Sequence, residues 1–265
     1  MVPAKPPIAA TCAALIALLL LAGCNGKPLV TSGAEPTAED AAYVAPPMPD
    51  AVQVAGDGLR LSGSAAPGAR VRLATPKGEA LNVTTDPQGR WTIALGAVPE
   101  PRIFGLSATS KGGQVQSEGY VLVTPKGQAA VLRAGAGALR IDTGARPGLR
   151  AIDFDQGGGL EVSVVAPPGA TVILNLDGRQ AAEGRADASG RYDASLPAAG
   201  SQTRMLPGAH QAQVFGDGFS DSVGFQVSAA PPLAQGPLRS QLTSAGLRVD
   251  WMTPGGGVQS TILVH

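Results

Sequence analysis

Cysteine, histidine, aromatic rings and charge are all scarce in this chain. Of 265 residues only two are Cys and two are His. Cys12 and Cys24 both lie near the start, so no disulfide can staple the remainder of the chain, and the folded part must be held by burial alone. The only imidazoles are His210 and His265, and no other thiol exists. A zinc site needs about four clustered N, S or O ligands, and none is expected. Charged residues make up 15%, with 20 basic against 20 acidic, which offers no basic surface to a nucleic acid. Aromatics are only 4%, a poor basis for a stacking platform. No apolar stripe of helical period occurs after the first 22 residues. There is no Gly-x-Ser-x-Gly elbow, no P-loop and no Gly-x-Gly-x-x-Gly fingerprint. The chain is expected to hold no cofactor and not to be an enzyme.

Glycine and proline, by contrast, are abundant at 36 and 23 residues, and neither suits a helix interior. Short apolar runs are broken by Gly, Pro and Asp, the pattern of all-β domains. The start is different. Residues 1–7 carry one charge, Lys5, and 8–22 form an apolar run too short to span a bilayer comfortably. The run ends in Leu21-Ala22-Gly23-Cys24, which resembles the lipobox of bacterial lipoproteins. That resemblance implies a signal peptide at 1–23, cleavage between Gly23 and Cys24, and lipid on Cys24 as the membrane anchor. Asn25 comes next in place of Asp, which in such lipoproteins favours the outer membrane, facing the periplasm. Residues 24–50 are Pro- and Ala-rich with little to bury and read as a flexible tether.

Beyond the tether the chain repeats itself at a spacing of 101 residues. Pro67-Gly68-Ala69-Arg70-Val71-Arg72-Leu73 falls on Pro168-Gly169-Ala170-Thr171-Val172-Ile173-Leu174. Asp86-Pro87-Gln88-Gly89-Arg90-Trp91 falls on Asp187-Ala188-Ser189-Gly190-Arg191-Tyr192. In each copy a Pro-Gly turn leads into a strand whose apolar residues alternate. An Asp-x-x-Gly type I turn leads into the next. The trailing Leu139-Arg140-Ile141-Asp142 also matches Leu247-Arg248-Val249-Asp250. This sequence pattern resembles the bacterial Ig-like domains of surface and envelope proteins. It implies two tandem Ig-like β-sandwiches at 51–124 and 152–228. A connecting hairpin at 125–151 and a C-terminal hairpin at 229–265 would complete the chain. In the second copy the Asp187 turn also suits the transthyretin-like modules of carboxypeptidases, another non-catalytic sandwich.

Candidate sites are few. Asp153 and Asp155 lie two apart, sharing a face if in a strand, and Asp217 and Asp221 flank a Gly-containing turn. Either pair could offer oxygens to calcium, although neither has EF-hand spacing. Trp91, Tyr192 and Trp251 sit at strand positions that suit packing. The Leu-Arg-x-Asp segments are expected as ordinary closing strands, the alternative being an edge offered to a partner by β-augmentation. The chain is thus expected to be a lipid-anchored, non-enzymatic envelope scaffold or adhesion protein. Its expected partners are the membrane and envelope or surface proteins. The alternative is a glycan- or peptidoglycan-binding module.

Overall fold

The computed structural model describes residues 44–141, 146–196 and 204–265. The described residues contain strands and turns and no helix. Gly23, Cys24 and most of the tether segment lie outside them, as does Asp142.

The first sandwich opens with β1 (Met48–Ala55), β2 (Gly58–Ser64), β3 (Arg70–Ala74) and β4 (Ala80–Thr84). It continues with β5 (Arg90–Gly96), β6 (Arg102–Ser110) and β7 (Gly113–Val123), then β8 (Ala129–Leu132) and β9 (Leu139–Arg140). Sheet I has the order β1-β2-β5 and sheet II the order β4-β3-β6-β7-β8-β9. Val71, Leu73, Trp91, Ile93, Leu106 and Val121 fill the core between them. They come from alternate strand positions, as the period of two requires.

The second sandwich comprises β10 (Gly148–Asp155), β11 (Leu160–Val165), β12 (Thr171–Leu176), β13 (Arg179–Arg185) and β14 (Arg191–Leu196). After these come β15 (Gly208–Gly216), β16 (Phe219–Val227), β17 (Leu238–Leu242), β18 (Gly246–Met252) and β19 (Val258–Val264). Sheet III has the order β14-β11-β10-β19-β18-β17, and sheet IV has the order β13-β12-β15-β16. Their core holds Ile152, Phe154, Val162, Leu174, Val214 and Ile262 among others.

The duplication is visible atom by atom. Asp86 Oδ1 accepts the N–H groups of Gln88 and Arg90 at 3.0 and 2.7 Å. Asp187 Oδ1 accepts those of Ser189 and Arg191 at 2.8 and 3.0 Å. Gly89 and Gly190 close these turns at φ 76 and 77, and a Cβ on either would meet the carbonyl oxygen of Ala65 or Ala166. Even the bulge recurs, between Pro49 and Ala51 in β1 and between Leu149 and Ala151 in β10. The large rings settle differently. Trp91 lies against Gly63 on the neighbouring strand of its own sheet, whereas Tyr192 covers Gly184 on the facing sheet. Position 164, equivalent to Gly63, carries Val, so Tyr192 has no such hollow beside it.

Three boundaries differ from those expected from sequence. β1 begins at Met48, inside the stretch assigned to the tether. Pro49 is tolerated there because β1 is an edge strand with a bulge. Residues 125–151 are not one connecting hairpin. β8 and β9 extend sheet II, and β10 already belongs to the second sandwich. Residues 229–265 hold three strands, not a hairpin, and the matched Leu-Arg segments are not equivalent: β9 is a two-residue edge, while β18 lies inside sheet III. The physical cause is the connection after the seventh strand of each copy. Thr124–Gly127 is a tight turn, with the Gly127 N–H on the Thr124 carbonyl at 3.0 Å, and it returns the chain to β7. After β16, Pro231, Pro232 and Pro237 lack the N–H groups a pairing strand needs, and the chain crosses to sheet III.

These unequal extensions create a third core. Sheet II packs its outer face on the outer face of sheet III, burying Ile103, Leu122, Leu132, Val249, Trp251 and Leu263 between them. The described body is therefore four layers deep, I–II–III–IV, with three apolar interiors.

Candidate functional site

The seam between sheets II and III contains a polar chain as well as a core. Trp251 is fully buried and meets Tyr120 edge to face, with centroids 6.1 Å apart. Its indole N–H donates to Thr261 Oγ1 at 3.0 Å, and the Thr261 hydroxyl donates to Asp153 Oδ1. Asp153 also accepts Gln259 Nε2 at 3.2 Å and the Ala138 N–H at 2.8 Å. Burial pushes its carboxyl up to about 6, against these hydrogen bonds, which pull it down. At the rim, Arg133 reaches from the first sandwich to Asp193 of the second at 2.8 Å.

A second buried pair fixes the crossing segment. Arg248 Nε donates to Asp250 Oδ1 at 2.8 Å, and its other nitrogens donate to the hydroxyl and carbonyl of Ser228 and to Ser260. The guanidinium lies over the Phe154 ring, 5.2 Å from its centroid. With every arm of the cation paired, this ion pair avoids leaving an uncompensated buried charge.

The residues singled out from sequence scatter. Asp153 is interior, whereas Asp155 is exposed and closes its own turn through the Gly159 N–H at 3.2 Å. Asp221 accepts the Leu149 N–H at 2.9 Å, and Asp217 sits exposed in the β15–β16 turn. The calcium pairings therefore do not come together. Among the described residues no three His, Cys, Asp or Glu side chains converge. His210 is held by Asp177 and by the Leu206 carbonyl, each at 2.8 Å. Both partners only accept, so both ring nitrogens must donate, which favours the imidazolium. Burial lowers its pKa, but these two bonds outweigh it and the net shift is upward. Trp91 and Trp251 are buried in cores, while Tyr192 is half-buried against one.

One sheet edge lies beside a groove. With β14, β17 is one of the two terminal strands of sheet III. A groove of about 890 Å³ runs beside it, walled by Pro76, Pro99, Pro101, Pro232 and Pro237, with Ile103 and Leu238 also lining it. Its rim carries the ion pair Arg102–Glu79 at 3.9 Å, which is solvent-exposed and contributes little. The Leu-Arg-x-Asp segments read from sequence as ordinary closing strands, with an edge offered to a partner as the alternative. The terminal copy, β18, is interior to sheet III, and β17 lies outside it.

Residues 45–124 match the family described as bacterial Ig domain. No curated protein matches the chain. Among solved structures, it is similar to the BSP domain of a biofilm associated protein. That likeness has 14% identity and a TM-score of 0.24, over 71% of this chain and 30% of the other's length. It is also similar to the central fibronectin-III array of RIM-binding protein, with 10% identity and a TM-score of 0.25, covering 82% of this chain and 89% of that one. A third likeness is to a 1.5-MDa bacterial ice-binding adhesin, with 12% identity and a TM-score of 0.23, over 78% and 80% of the two chains.

Proposed function

We propose that this chain is a lipid-anchored, non-enzymatic scaffold or adhesion protein of the bacterial cell envelope, presenting Ig-like sandwiches to protein partners. The observation that carries the reading is the fusion of a bacterial Ig-type sandwich to a second copy of itself through a third core. Such a body resists bending between its units, and stiffness suits spacing and display. With β1 starting at Met48, a tether over 24–47 would reach on the order of 30 Å as a flexible coil, clear of the lipid headgroups. In this reading the anchor is lipid on Cys24, and the site is the outer membrane, facing the periplasm.

The test combines labelled palmitate, envelope fractionation and in-cell crosslinking of a C-terminally tagged chain. The expected result is label on the wild type and none on Cys24→Ser, with a small reproducible set of envelope proteins crosslinked. Absence of label on the wild type overturns the anchor. Recovery with peptidoglycan or polysaccharide and no protein overturns the scaffold in favour of glycan binding.

A further inference from the structure

The outer edge of β17 has a definite hydrogen-bonding register. The Met252 N–H donates to the Pro237 carbonyl at 2.9 Å, and the Thr243 N–H donates to the Gly246 carbonyl at 2.8 Å. In an antiparallel ladder, bonded positions alternate. Arg239 and Gln241 therefore turn their main-chain groups toward β18, and Leu238, Ser240 and Leu242 turn theirs outward, away from the sheet. A row of such groups is a template for another strand.

The sequence of this edge, Leu238-Arg239-Ser240-Gln241-Leu242, reads nearly the same in both directions about Ser240. In an antiparallel pair of two such strands, Ser240 meets Ser240, Leu238 meets Leu242 and Arg239 meets Gln241. No like charges face each other, which would be destabilising. The apolar pairing also answers two separate features of the surface. Leu242 is 68% exposed, a large side chain with no cover on its own molecule. Leu238, its counterpart, lines the proline-walled groove with Ile103. The two leucines are on the same face of the strand, so a two-fold axis through Ser240 carries each uncovered Leu242 toward the other copy's groove.

We propose that two copies of this chain associate through β17, antiparallel about a two-fold axis at Ser240, joining their third sheets into one continuous sheet and seating Leu242 of each in the groove of the other. The interface is isologous, so it closes at the dimer. This association is independent of the anchor and of any envelope partner.

The test is register-specific disulfide trapping in the full chain, purified in detergent and mildly oxidised. Wild type, with whichever of Cys12 and Cys24 it retains, sets the background. Ser240→Cys places two thiols on directly opposed residues whose Cα atoms are about 5.5 Å apart, within disulfide reach. Arg239→Cys does not, because its opposite is Gln241. The expected result is a disulfide-linked dimer of Ser240→Cys at least tenfold above both controls, lost when Leu242→Lys is added. Leu242 is exposed, so that change leaves the fold intact. Failure of Ser240→Cys to crosslink, or equal crosslinking at Arg239→Cys, overturns the proposal. So does a crosslink from Ser240→Cys to a different polypeptide, which would give the edge to another protein's strand.

Discussion

The Asp153 carboxylate on β10 accepts the main-chain N–H of Ala138 at 2.8 Å, and this bond joins one sandwich to the other. The same carboxylate takes Thr261 and Gln259 from β19, so it ties the seam to the strand beside it. Replacing it by Ala orphans a buried N–H and two side-chain donors. Asp153→Ala is expected to cost about 3 kcal/mol. Asp153→Asn, which keeps an acceptor, is expected to cost less than half of that. Urea unfolding of the two variants beside wild type checks both values.

The same residue gives a pH dependence. Its folded pKa is raised from 3.8 to about 6, so the fold prefers the protonated form. That contribution is complete below about 3.8 and is lost as pH rises through 6. Nearby Glu161, also raised, acts in the same direction. His210 is raised as well, and its contribution is present below 6.5 and fades as pH rises through its folded value. The thermal midpoint is therefore expected to fall from about pH 4.5 to about pH 8. Asp153→Asn should flatten the acidic half of that slope and His210→Gln the upper half. Differential scanning fluorimetry across the range measures it.

Trp251 is the largest fully buried side chain of the body, and its surroundings are contributed by both sandwiches. Trp251→Ala is expected to cost about 3–5 kcal/mol, the range for removing a buried large ring. The loss should be local first. Hydrogen exchange is expected to speed up on β8, β10, β18 and β19 before β2, β3 and β5, whose core lies a layer away.

Gly89 and Gly190 do the same work in the two copies, so Ala at either should do similar damage. The positive φ is strained for a Cβ-bearing residue, and the added atom meets a carbonyl oxygen in both cases. About 2 kcal/mol or more is expected at each site, with the two changes additive because the turns share no partner. Paired chemical denaturation of the single and double variants tests this.

Removing residues 238–265 takes three of the six strands from sheet III and four of the ten buried residues of the central core. The truncated chain is expected to aggregate or unfold. Retention of protected amides on β11, β12 and β15 by hydrogen exchange would show the second sandwich to be independent of its extension.

The repeat, the turns and the alternating strands were legible because each is written in a few adjacent residues. Asp86 and Gly89 specify a turn through their own backbone bonds, and Val71 and Leu73 need only the period of two. The seam was not legible. Asp153 has its partners 15, 106 and 108 residues away, and no local pattern announces them. Asp153 reads from its neighbours as one of two carboxylates on a solvated strand edge, with calcium as the alternative, and the structure buries it instead. The destination of the appended strands was equally hidden, because similar Leu-Arg segments join different sheets. Pro231 and Pro232 marked the place where the second copy departs from the first.

β19 lies between β10 and β18, which gives the body a strict order of completion. Sheet III cannot close until residue 264 has left the ribosome, although the first sandwich has by then had all of its strands for roughly a hundred residues of synthesis or more. Translation thus releases a finished half beside a waiting one. A chain broken off early keeps an open sheet and a bare apolar face, a form that proteases and chaperones can tell from the finished protein.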